Sequence, residues 1–259
     1  MMISIMKQSK KILVNTAVLI FWCLVWQVSA STVNKGLLLP IPTPLSTAKA
    51  LFYMCGTASF WSAVGGSVLR IMLGFFASVI LGATGALISN KSKVFKILTS
   101  PILSLIRAVP VAALVIVVFL WLKKDTIPSF ISFLTVFPIV WANTESGLNA
   151  ADKGLYEMAR VMGLKGKKIL KEITLPLLMP YFTSALKAGL GLAFKSGVAA
   201  EVICRSAGSL GNLLWNNSSV IDYDGVFAIS IVIVALSVLF ENAIKLFLKE
   251  RGQGYDKSK

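Results

Sequence analysis

The sequence predicts an all-α, polytopic membrane protein of about six transmembrane helices, read as a single domain over residues 1–259. Three observations lead there. Hydrophobic residues make up 56% of the chain before Gly is counted, above the roughly 45–50% that soluble domains reach with Gly included. Apolar runs of around 20 residues, enough for a helix to cross roughly 30 Å of hydrocarbon, recur at about 12–30, 66–88, 102–122, 127–147, 178–203 and 226–248. Lys and Arg are also sorted between these runs. The N-terminal tail, the segment around Lys91, Lys93 and Lys96, the stretch at about 150–176 and the C-terminal tail together hold 17 of them. The three alternating segments hold only 5. Cytoplasmic loops collect positive charge, so both termini and the 150–176 stretch are expected in the cytoplasm. The net charge of +15 follows from this asymmetry and from anionic lipid headgroups of the bilayer, without a nucleic-acid partner.

The first run follows Lys10 and Lys11 and ends in Val28, Ser29 and Ala30, which is also the shape of a cleaved signal. A signal core usually has 7 to 15 apolar residues, and removing this longer run would leave five spans. An uncleaved span is the reading kept. Leu39 to Pro44 carries three prolines, which remove donors and hold the chain extended. Leu45 to Val64 regains helical periodicity, as for a helix lying on the outer membrane surface. In the second span Arg70 sits near the outer start, within reach of headgroups. Gly74, Gly82 and Ala86 fall on nearly one face, with Gly85 beside them, a pattern that lets helices approach closely in lipid.

Pro110 removes a hydrogen bond and bends the third span, and Arg107 needs a carboxylate, a phosphate or water. Two readings stand for this pair: a snorkelling Arg at a structural kink, or a lining of a path. The fourth span brings Glu145 close to its cytoplasmic end. The fifth is unusually polar, with Lys187, Lys195 and Glu201 among small residues, and charges at such depth face protein or water. Glu201 is one turn from Arg205 and within its reach. Gly208, Leu210, Gly211 and Leu214 read as a partly re-entrant outer segment, and Asp222 and Asp224 as a solvated loop rather than a cation site. Cys23, Cys55 and Cys204 form no pairing motif, and without any His there is no metal site to expect.

The stretch at 150–176 is a basic, polar island between apolar runs. Leu155, Met158, Ala159 and Met162 fall on one helical face and Lys153, Glu157 and Arg160 on the other. Gly163 permits a turn through positive φ, Gly166 a second adjustment, and a further amphipathic segment with Ile169, Leu170 and Ile173 ends at Pro176. From these residues alone the island either rests on lipid or projects two angled helices into a groove on a partner.

Glu157-Met158-Ala159, Gly163 and, after nine intervening residues, Ile173, Leu175 and Pro176 resemble the cytoplasmic loop signature of binding-protein-dependent ABC importer permeases; Met158 departs from the usual Ala. Arg107-x-x-Pro110 and the run Ala193 to Glu201, with Phe194 where a Trp is usual, are similar to the nitrate, sulfonate and taurine branch. The resemblance implies the type I importer architecture in a bacterial inner membrane. It implies that Leu155, Glu157, Met158, Ala159, Arg160, Met162, Gly163 and Leu164 form the coupling loop that docks a cytoplasmic ABC ATPase subunit. Arg107, Pro110, Lys195 and Glu201 are then candidates for the translocation path. Implied partners are an extracytoplasmic solute-binding protein and a second permease copy, as a homodimer, and the implied solute is an anion of the nitrate, sulfonate or taurine kind, or a vitamin precursor. No cofactor is expected on this chain: it has no Gly-x-x-x-x-Gly-Lys-Ser/Thr loop, so ATP and Mg belong to the partner. Two other classes compare poorly. A membrane enzyme acting on lipid needs an acid–base inventory that eleven acids and no His scarcely offer, and a stand-alone ion-coupled carrier should show inverted repeats.

Overall fold

The computed structural model describes residues 2–33, 41–150 and 152–256, and among them every regular element is helical. The elements are α1 (Met2–Val33), α2 (Pro44–Cys55), α3 (Ala58–Lys91), α4 (Lys93–Ala108), α5 (Val111–Val118), α6 (Ile127–Leu148), α7 (Lys153–Val161), α8 (Gly166–Ile169), α9 (Leu175–Cys204), α10 (Leu210–Ser219) and α11 (Tyr223–Asp256). Lys35, Leu39, Pro40, Lys257 and Lys259 lie outside the described residues, as does the side chain of Lys153.

Among the described residues, five helices are long and apolar enough to span a membrane. They contain the expected runs except 102–122, which is not one kinked helix. The chain breaks at Val109 and Pro110, and α4 and α5 meet at 105°. Pro110 caps α5 from outside instead of bending a continuous span, which suits a residue with no N–H to give. Near its start, α4 holds Lys96 against Glu145, at the C-terminal end of α6. Beyond α5, the backbone of Lys124 accepts from Ser206 Oγ at 2.8 Å and Asp125 faces Arg70, both at the opposite end of the bundle. The bent pair therefore joins the two ends and supplies a sixth crossing.

The surface helix is also shorter than its periodicity implied. Thr43 caps α2 in a reciprocal capping box with Ser46 and Pro44 opens it, but Gly56 and Thr57 interrupt it, and 58–64 belong to α3. Asp224 anchors α2 by accepting from Ser46 Oγ at 2.6 Å. Asp222 caps α11 through Gly225 N at 3.1 Å, so both acids are committed to structure.

The core is a triad of α3, α6 and α9. Its backbones approach because the facing positions have no side chain: a Cβ on Gly74 would lie 2.1 Å from Ser129 O, and one on Gly85 would lie 2.0 Å from the Trp141 ring. Gly189 and Gly197 of α9 are similarly closed against Val136 and Ile71. Ile71, Phe75, Val136, Val140, Leu190 and Phe194 fill the centre. Hydroxyls supply the polar contacts between helices, as Ser132 Oγ donates to Ala193 O at 3.1 Å and Ser78 Oγ to Phe133 O at 2.9 Å. In lipid, where helices gain no hydrophobic drive to associate, close contact and such bonds are what hold them. Cys55 is exposed, Cys204 is buried and neither is paired.

Candidate functional site

Most of the candidate residues gather at the two ends of this triad. At the end that holds Lys96 and Glu145, α7 projects as a short helix with an exposed apolar ridge: Val161 is 89% exposed, Met162 73% and Met158 56%. The expected face splits. Ala159 turns inward at 3% exposure and Leu155 is half-buried, whereas Val161, which the wheel did not single out, stands furthest out. The spacing Met158, Val161, Met162 is i, i+3, i+4, one face of a helix, so the signal was present once Ala159 is recognised as the residue small enough to go inside. Glu157 and Arg160 are exposed beside the ridge.

The turn after α7 is closed by backbone chemistry. Gly163 has φ +78; its N–H donates to Arg160 O at 2.9 Å and that of Leu164 to Ala159 O at 3.0 Å. This pair of bonds is the Schellman motif, which needs a left-handed residue at its corner. Leu164 is half-buried and gives the turn its apolar closure. Gly166, by contrast, opens α8 in open space, where an added Cβ would meet nothing within 4 Å. Pro176 does not end the second segment. Leu170–Thr174 forms a π-helical turn in which Leu175 N donates to Leu170 O, and the chain runs on into α9. Tyr156 OH lies 3.2 Å from Thr174 Oγ1 and ties α7 to that turn.

At the opposite end, Glu201, one of the path candidates, is fully buried. Its Oε2 accepts from Ser67 Oγ at 2.7 Å and Gly211 N at 3.2 Å. Ser67 Oγ in turn accepts from Leu210 N at 2.8 Å. Oε1 has no hydrogen bond and lies 3.9 Å from Arg70 Nη1. Arg70 reaches into protein rather than toward headgroups: Nη2 donates to Ala207 O at 2.8 Å, Nη1 donates to Gly208 O at 3.2 Å, and Asp125 stands 3.7 Å away. Arg205, the partner expected for Glu201, caps α9 in the left-handed region and covers the Trp215 ring at 4.1 Å. Together these contacts lock the re-entrant 205–211 segment onto α3 and α9.

Between the two ends lie the other path candidates. Arg107 is exposed in the last turn of α4 and Pro110 exposed at the break. Val111 and Leu114, just past it, pack against the cluster containing Ala200 of α9. Lys195 is exposed on α9, while Ala193, Phe194, Ser196, Gly197 and Val198 around it are buried.

A family model described as binding-protein-dependent transport system inner membrane component matches residues 70–251. The chain belongs to that family. It is a permease subunit of an ABC importer, a translocating component that does not itself catalyse a reaction, of a family that works with an ATPase and a solute-binding protein. A putative aliphatic sulfonates transport permease of Escherichia coli K12 is 30% identical over 82% of the permease and 80% of its own length. The nitrate import permease of Leptolyngbya laminosa is 30% identical, with 74% and 68% covered, and the taurine transport permease of Escherichia coli K12 is 26% identical, with 79% and 76%. The nitrate, sulfonate and taurine branch is thereby supported. Among solved structures, an amino acid ABC transporter matches with TM-score 0.60 at 18% identity, over 73% of the permease and 94% of that chain. An alginate importer matches with TM-score 0.58 at 16% identity, over 94% and 98%. At such identities these two speak to the fold.

Proposed function

We propose that α7 and the turn at Gly163 form the coupling loop through which the ATPase drives this permease. The observation that carries the reading is the apolar ridge Met158, Val161 and Met162, exposed on a short polar helix whose corner is fixed by the Gly163 turn. Three aliphatic anchors at i, i+3 and i+4 suit a groove on a folded partner, with Glu157 and Arg160 flanking them as the polar rim. Leu155, Ala159 and Leu164 hold the helix from behind instead of touching the partner. Two copies of the permease, two ATPase subunits and a binding protein at the end bearing Arg70 and Glu201 complete the importer. The chain sits in the inner membrane with both termini in the cytoplasm. Its path runs beside the Arg107–Pro110 break and the face of α9 that bears Lys195, and ATP and Mg stay on the partner. The solute is a small molecule of the kind named for its relatives: a sulfonate, taurine, nitrate or bicarbonate.

The test replaces Met158, Val161 and Met162 together by Ser in the permease co-expressed with its ABC ATPase. Full burial of each anchor is worth about 1.5–3 kcal/mol, so the triple variant should lose stoichiometric co-elution with the ATPase while keeping its thermal unfolding in detergent. Intact co-elution, with unchanged permease-stimulated ATP hydrolysis in nanodiscs, would refute the assignment.

A further inference from the structure

We propose that the passage along α9 selects anions, and that Lys195 is the contact that makes it do so. The inference rests on the reading of this α9 face as path lining. Lys195 lies eight residues before the end of the expected span at 203, about 12 Å at 1.5 Å per residue, which sets it near the middle of a roughly 30 Å hydrocarbon layer. It is exposed, and no hydrogen bond or ion pair to it exists among the described residues.

The face around it is unlike a lipid-facing one. Ser184, Ala188, Gly191 and Ala199 share it at helical spacing, and a Cβ on Gly191 would meet nothing within 4 Å. Gly189 and Gly197 are closed by neighbours less than 3 Å away. The lipid-facing strip of α3, by comparison, is Leu69, Leu73, Phe76 and Ile80, each more than half exposed. A central Lys costs about 2.5–3.5 kcal/mol when it must face lipid, so this open, small-residue face suits a water-lined passage better than a lipid contact.

The charge inventory then fixes the sign of what passes. Among the described residues, the acids within the spanning stretches are already committed. Glu201 serves Ser67 and Gly211 and faces Arg70, Glu145 pairs with Lys96, and Glu241 of α11 has an interaction of its own. Arg107, exposed at the break, adds a second cation with no acid on it. Within the described spans no acid is left for Lys195, and its counter-charge is assigned to the passing solute. A compact ammonium with three donors suits a small oxyanion.

The test needs no knowledge of the solute. Cys23 and Cys55 are replaced by Ser and buried Cys204 is kept; Ala199→Cys or Ala188→Cys is added, and the permease–ATPase complex in nanodiscs is labelled with an anionic (sulfonatoethyl) or a cationic (trimethylammonioethyl) methanethiosulfonate. Both cysteines should react, the anionic reagent preferentially. Lys195→Gln should lower the anionic-to-cationic rate ratio about tenfold at Ala199→Cys, one turn or about 6 Å away in water-like dielectric. The drop should be smaller at the more distant Ala188→Cys, and Lys195→Arg should preserve the ratio. Failure of the anionic reagent to reach the two positions, or a ratio indifferent to Lys195→Gln, would overturn the proposal. Neither result affects ATPase co-elution, so the coupling-loop assignment stands or falls separately.

Discussion

Gly65 and Gly66, neighbours near the start of α3, should respond to the same substitution with opposite signs. A Cβ on Gly65 meets nothing within 4 Å, whereas one on Gly66 would lie 2.3 Å from Gly208 O and 3.2 Å from Arg70 Nη1. Ordinary contact would require that carbonyl to retreat by about 1 Å. It cannot do so freely, because Arg70 holds the oxygens of Ala207 and Gly208 and Ser67 holds Leu210 N. Replacing Gly by Ala inside a helix gains about 0.5–1 kcal/mol from backbone entropy alone, the full expectation for Gly65→Ala. For Gly66→Ala that gain is set against about 1–3 kcal/mol of overpacking and about 1.5–3 kcal/mol for each charge-assisted bond lost, leaving the 205–211 segment weaker by about 2–4 kcal/mol. Hydrogen exchange on the purified permease in detergent reads this directly. The amides of Leu210 and Gly211 should exchange roughly 30- to 1000-fold faster in Gly66→Ala, at about 1.4 kcal/mol per decade, and no faster in Gly65→Ala. Equal shifts in both variants, or unchanged exchange at Leu210 and Gly211, would refute the packing argument.

Two further outcomes are expected. Gly163→Val should cost about 1–2 kcal/mol locally, because a β-branched residue at φ +78 is strained, and should weaken ATPase co-elution with the apolar ridge intact, while Gly166→Ala, in open space, should do neither. Glu201→Ala leaves Gly211 N buried without its acceptor and Arg70 without its nearest buried carboxylate; a loss of about 3–5 kcal/mol should appear as a lowered unfolding temperature, with the Ser67→Ala variant, which removes one arm, losing less.

How far each of these features could be read from sequence depended on whether its partner was local. Gly74, Gly82 and Gly85 were legible as a contact face because small residues in an apolar helix have few other uses, and the α7 turn was legible because only Gly relieves a left-handed corner. The break at Pro110 was visible as a proline, but its 105° angle is set by Val115 and Val118 packing on Ala200 and Cys204, far along the chain. Glu201 had an attractive partner one turn away in Arg205, and the fold gave it Ser67, Gly211 and Arg70 instead, since burial favours whichever donors surround the carboxylate in space.

That pairing also joins the two ends mechanically. α9 runs unbroken over Leu175–Cys204, about 45 Å at 1.5 Å per residue. It carries the π turn and Tyr156 contact at one end, Lys195 about two thirds of the way along and Glu201 at the other. Close packing of its Gly189 and Gly197 against α6 and α3 leaves the stretch beyond Pro180 little freedom to bend. Under the proposed coupling role, a push at α7 would enter α9 through the Tyr156–Thr174 contact, and the bonds of Glu201 to Ser67 and Gly211 are what tie the far end of the helix to its neighbours. A buried carboxylate whose second oxygen has no hydrogen bond and lies 3.9 Å from Arg70 leaves that end of the helix tied to α3 through Ser67, while Arg70 holds the carbonyls of Ala207 and Gly208.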